Sequence, residues 1–92
     1  MENYIGIEKI RYICKVMGLQ WTKHSLEKLR NRKINCNDIK NAIITGDIVE
    51  EFQGHFSSPI FHVIGSSEGG KFLRVVCTAN KNSVVVITAY YL

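Results

Sequence analysis

Apolar residues near the start of the chain recur at intervals of three and four: Ile7, Ile10, Ile13, Cys14 and Met17 form one stripe between Ile5 and Met17, and Gly18 follows as a left-handed cap. The spacing predicts an amphipathic helix. Gly18-Leu19-Gln20-Trp21 reads as a short extended link. Thr22 is placed to accept from the free amides of the next turn, starting a second helix that runs to about Arg32 with Leu26 and Leu29 as its apolar side. A third helix follows, capped by Asn35 or Asn37, with Cys36, Ile39, Ala42 and Ile43 as its stripe and Gly46 as its end.

After Gly46 the period drops to two. Ile48, Glu50 and Phe52 fall on one face of a strand and Val49 and Glu51 on the other, and the acids suit a sheet edge. Pro59 to Ile64 is a second strand, and Ser66-Ser67-Glu68-Gly69-Gly70 turns the chain into a third, Phe72 to Thr78. Asn80-Lys81-Asn82 makes the next turn. Ser83 to Tyr91, almost continuously apolar through Val84, Val85, Val86 and Ile87, predicts a central strand covered on both faces. The expectation is an α+β domain over residues 1–92, with two to three N-terminal helices packed on one side of a four-stranded, mainly antiparallel sheet.

Composition adds limits. An apolar fraction of 46% with a single proline suits a folded globule, not a disordered tail. At 92 residues the core is small, and a homodimer that covers spare apolar surface is compatible with that size. The formal charge of +4 is unevenly placed, since nine of the twelve Lys and Arg residues lie between Glu8 and Lys40 against three acids. This basic helical half attracts a polyanion such as RNA or an acidic protein partner, or else serves as a solvated face.

Cys14, Cys36 and Cys77 are far apart and odd in number, which predicts neither a disulfide framework nor a zinc knuckle and fits a reducing, cytoplasmic setting. Glu8, Lys9, Arg11 and Lys15 break the first apolar stretch, so no signal peptide, membrane span or membrane partner is expected. His55, in a Gln53-Gly54-His55 loop, and His62, in a strand, lack a second ligand at a metal-binding interval. No phosphate-cradling loop is present, and Gly69-Gly70 has no helix after it, so neither a metal nor another cofactor is expected.

Candidate chemistry sits in the second helix. His24, Lys28 and Arg32, four apart, stack along one stripe and bring an imidazole beside two cations. Metal-independent RNA cleavage needs a base for the 2′-hydroxyl proton, an acid for the departing 5′-oxygen, and cations at the phosphoryl oxygens. His24 suits either proton-transfer role and Lys28 and Arg32 suit the phosphate; alternatively, His24 ties the helix to the sheet in a non-catalytic RNA- or protein-binding module. Arg74 interrupts an apolar strand, so it emerges at a cleft as a phosphate ligand or pairs with Glu50 or Glu51. Tyr90 and Tyr91 point to opposite faces, which leaves one for packing and one for base stacking or a hydrogen bond.

The order and spacing of His24-Ser25, Lys28-Leu29, Arg32, Ile34, Gly46-Asp47-Ile48, Arg74-Val75-Val76 and Thr88-Ala89-Tyr90 resemble the small bacterial domains of domain-of-unknown-function family 4258. Ser25 and Lys28 stand where that family usually has alanine and arginine, and lysine is a point charge without the guanidinium fork. More distantly these domains resemble the RelE and BrnT type toxins. The resemblance implies a RelE/BrnT-like fold, an mRNA interferase-like endoribonuclease of a toxin-antitoxin system, and an antitoxin partner. The set expected to act is His24 for proton transfer and Lys28, Arg32 and Arg74 at the phosphate, with Tyr90 alongside.

Overall fold

Glycines bound the first helix and end the third, and short polar residues start the second and third. A computed structural model describes residues 6–53, 58–80 and 82–92; Ile5, Gly54, His55 and Lys81, which figure in the readings above, lie outside the described residues. In chain order the elements are α1 (Ile7–Met17), β1 (Leu19–Trp21), α2 (Lys23–Asn31), α3 (Cys36–Thr45), β2 (Asp47–Gln53), β3 (Pro59–Ser66), β4 (Phe72–Ala79) and β5 (Val84–Tyr91). Gly18 stops α1 at φ 79, where a side chain would be strained, and its amide bonds Cys14 O at 3.2 Å.

Thr22 and Ser25 cap α2 reciprocally: Ser25 N donates to Thr22 Oγ1 at 3.0 Å and Thr22 N to Ser25 Oγ at 2.9 Å. Its end is a tight left-handed turn. Lys33 takes φ 59, and Ile34 N bonds Leu29 O at 2.9 Å while Lys33 N bonds Arg30 O at 3.1 Å. Asn35, not Asn37, caps α3, accepting from Asp38 N at 2.8 Å. The stripes need adjustment. Met17, Leu26 and Cys36 are exposed, so α1 buries Ile10, Ile13 and Cys14, α2 buries Ser25 and Leu29, and α3 buries Asp38, Ile39, Ala42 and Ile43.

The architecture is α+β, with three helices among the described residues and a five-stranded mixed sheet in the order β1-β5-β4-β3-β2. Strands β2 to β5 form the expected antiparallel meander, with acidic β2 at one edge. The expected count of four strands is corrected by Leu19-Gln20-Trp21, which is no mere link but pairs parallel with Val84-Val85-Val86. Three residues are too few for an alternating pattern, and only the distant β5 makes them a strand. β5 lies inside the sheet, yet it is not covered on both faces: Val84 and Val86 are buried, whereas Ile87 is 37% exposed at a bulge.

All three helices pack on one side: α3 on β3 and β4, α2 on β5, and α1 on α3 and β5. The closest approach is between α3 and β3. A Cβ on Gly65 would overlap the Ala42 carbonyl oxygen and stand 2.9 Å from Ala42 Cα, and one on Gly46 would come within 2.6 Å of Ala42 O. Around this contact Asn41 Nδ2 donates to Ser66 O at 2.9 Å, Ser66 N donates to Thr45 Oγ1 at 3.0 Å, and Glu68 N donates to Asp38 Oδ1 at 3.1 Å. Because the obstructing atoms are backbone, they cannot turn aside. Gly65→Ala is therefore expected to destabilise the fold by about 2 kcal/mol or more, read as a lowered urea midpoint at unchanged slope.

Candidate functional site

Strict alternation in β3 and β4 sends Phe61, Val63, Leu73, Val75 and Cys77 beneath the helices and leaves His62 and Arg74 on the uncovered face. The flanking strands reach the same face through bulges. In β2 the register shifts between Ile48 and Glu50, so Ile48 pairs with Val63 toward the core while Glu50 pairs with His62 and Phe52 with Ile60 on the open side. Ile48 thus leaves the face it was expected to share with Glu50 and Phe52. In β5 the shift between the partners of Val76 and Cys77 places Thr88 opposite Val76 and Tyr90 opposite Arg74.

Arg74 is the centre of this face. Its Nη1 donates to Glu50 Oε1 at 3.0 Å and to His62 Nδ1 at 3.0 Å, and that imidazole nitrogen lies 3.7 Å from the same carboxylate oxygen. A guanidinium only donates, so Nδ1 is the acceptor and the ring proton sits on Nε2. Phe52 meets the imidazole edge-on, centroids 5.2 Å apart. Of the two carboxylates considered for Arg74, Glu50 is the partner; Glu51 pairs with Phe61 on the other face. Tyr90 and Tyr91 do point oppositely, as partners of Arg74 and Leu73, and each ring residue remains 38% exposed.

Arg32 ties the second helix to this region. β1 covers β5 only as far as Val86, and beyond it Arg32 Nη1 donates to Thr88 Oγ1 at 2.8 Å and to Ala89 O at 2.9 Å. Thr88 is two residues from Tyr90 on the same face, about 7 Å along the strand. The structure therefore gathers Arg32, Tyr90 and Arg74 around β5. Lys28 is half-buried one turn back along α2, and His24 is exposed a further turn away, about 12 Å from Arg32 along the axis. Among the described residues no hydrogen bond or ion pair joins His24 to the other four.

Among the described residues no three His, Cys, Asp or Glu side chains converge as metal ligands, and no helix is long and apolar enough to cross a membrane. Residues 21–91 match the family described as Domain of unknown function (DUF4258). The chain belongs to that family. No curated protein and no solved structure matches it. Within this DUF4258 domain the sequence reading missed the Glu50–Arg74–His62 set as a unit. The signal was present as three chemistry-bearing residues on three successive strands, but the bulge at Val49 hid their common face.

The cysteines are free and unlike one another. Burial raises the Cys14 thiol, although Lys40 and Lys15 pull the other way. Burial pushes Cys77 up to about 12, with Cys14 adding to the rise. Both thiols stay protonated in the fold while an unfolded chain releases its protons from about pH 9. Stability is thus fully present below pH 9 and falls as pH rises from 9 toward 12, which alkaline urea titrations read directly. In the native protein a thiol reagent is expected to modify exposed Cys36 quickly and Cys14 and Cys77 only after unfolding.

Proposed function

We propose that this DUF4258 domain is a metal-independent, toxin-like endoribonuclease of a toxin-antitoxin system, with RNA lying along the stripe of α2 and onto β5. The observation that carries the reading is the bond from Arg32 to Thr88 and Ala89, because it sets the basic stripe against the strand that holds Tyr90 beside Arg74. Arg32 spends one nitrogen on β5, and its remaining donors are available to a phosphate. Tyr90 offers a partly exposed ring for a base, and Arg74 lies next to it.

In the proposed reaction the 2′-oxygen loses its proton to a base and attacks the adjacent phosphorus; the P–O5′ bond breaks, and the leaving oxygen takes a proton. The products are a 2′,3′-cyclic phosphate and a 5′-hydroxyl. His24 is assigned to proton transfer, and Lys28, Arg32 and Arg74 to the charge on the phosphoryl oxygens. A RelE/BrnT-like relation and an antitoxin partner belong to the same proposal. The basic helical half supports both RNA and an acidic antitoxin as partners, and the three free thiols suit the cytoplasm of a bacterium.

One observation favours a second reading, an RNA- or protein-binding module without catalysis: Arg32 and Arg74 are both already engaged by the protein itself. His24→Ala separates the readings. The nuclease reading expects cleavage of RNA to fall by about 100-fold or more while RNA binding and the unfolding midpoint are kept. Absence of cleavage by the intact protein, on free RNA and on ribosomes alike, replaces the nuclease with the module.

A further inference from the structure

The groups on the uncovered face hold a balanced charge that one proton would tip. With the His62 ring neutral, Glu50 and Arg74 cancel, and Nδ1 accepts from the guanidinium. Protonation removes that acceptor. Nδ1–H then faces Arg74 as a donor against a donor, while Glu50 Oε1 lies 3.7 Å away and comes within bonding distance on a small turn of the ring. The carboxylate is then matched by the imidazolium, and the guanidinium of Arg74 keeps a full unmatched charge on an open face.

We propose that Glu50, His62 and Arg74 form a proton-gated anion site, closed when His62 is neutral and open to a tetrahedral oxyanion, the charged unit of a phosphodiester, when it is protonated. The idea rests on the reading of Arg74 as a phosphate ligand and adds a condition to it. Among the described residues, three other charged or titratable groups reach this face, Arg32 among them through its bond to Thr88. Tyr90 on β5 stands opposite Arg74, and Asp47 on β2 is engaged by Arg11 at 3.6 Å. Phe52, edge-on to the ring, and Val76, buried between Thr88 and His62, limit the water that would otherwise dilute the change in charge.

Geometry also favours the oxyanion over a planar carboxylate. Arg74 Nη1 is held by Glu50 in the closed state and released in the open one, and the imidazolium Nε2–H provides a second, divergent donor. Histidine is the side chain whose unperturbed form changes charge between about pH 5 and 8, which sets the range for the test.

The test uses inorganic sulfate, whose charge is constant across that range, followed by the NMR signal of the Arg74 side-chain Nε–H in the full chain. The wild-type protein is expected to bind sulfate about fivefold more tightly at about pH 5.5 than at about pH 7.5, the factor that one unit charge at contact distance contributes in water. His62→Gln is expected to remove that pH dependence and bind weakly throughout. Glu50→Gln is expected to bind about fivefold more tightly than wild type at the higher pH, because nothing then cancels Arg74. Equal wild-type affinity at the two pH values, retained pH dependence in His62→Gln, or no gain in Glu50→Gln each overturns the gate. The sulfate experiment contains neither RNA nor cleavage, so its failure leaves the nuclease reading standing, and loss of the nuclease reading leaves this result intact.

Discussion

The contact of α3 with β3 at Ala42, Gly46 and Gly65 governs the layout of the molecule. Two missing Cβ atoms let helix and strand backbones touch, which no larger residue at Gly65 would allow. The polar groups of Asp38, Asn41 and Thr45 then close on the end of β3 and on the hairpin beyond it, so the helix is held in register as well as in place. α1 packs on α3, and its Arg11 reaches the Gly46 carbonyl and Asp47. With α2 against β5, every helix is drawn to one side. The other side of the sheet is left uncovered by helix, which makes it available for chemistry.

Two irregularities decide what that open face carries. Without the extra residue in β2, Glu50 would point beneath the helices as Ile48 does, and His62 would face Val49. Without the extra residue in β5, Thr88 and Tyr90 would exchange faces with Ala89 and Tyr91, and Arg32 would lose its hydroxyl acceptor on the open side. The regular strands β3 and β4 supply His62 and Arg74, and the bulged strands bring partners to them from left and right. A bulge costs ladder bonds, and here each one re-aims a polar or aromatic side chain toward a cation.

Local rules made much of this legible. The caps at Thr22 and at Gly18, the three helices and the meander after Gly46 follow from residues that act on their immediate neighbours. What stayed hidden was set by residues far apart. β1 is a strand only because Val84 to Val86 stand beside it, and Gly65 is indispensable only because Ala42 lies across from it. In β5 a run of four apolar residues looked like burial on both faces, whereas it contains a bulge that leaves Ile87 partly exposed. For the candidate site, Arg74 beside a carboxylate and Tyr90 on the opposite face from Tyr91 could be read from periodicity. The part played by His62 could not, since it depends on which strand lies next to it and in what register.

Arg32 and Arg74 show how one residue type serves two needs on a small domain. Each makes bonds that hold an element in place, one at the free edge of β5 and one across three strands, and each keeps guanidinium donors beyond those bonds. Lysine at either position would supply the charge without the fork, so it could serve only one need at a time. The difference lies in the counter-charge. Arg32 bonds to a hydroxyl and a carbonyl, which leave its charge intact, whereas Arg74 is matched by Glu50. The charge of Arg32 therefore adds to that of the basic helical half, whereas the charge of Arg74 on the open face is matched for as long as Glu50 holds it.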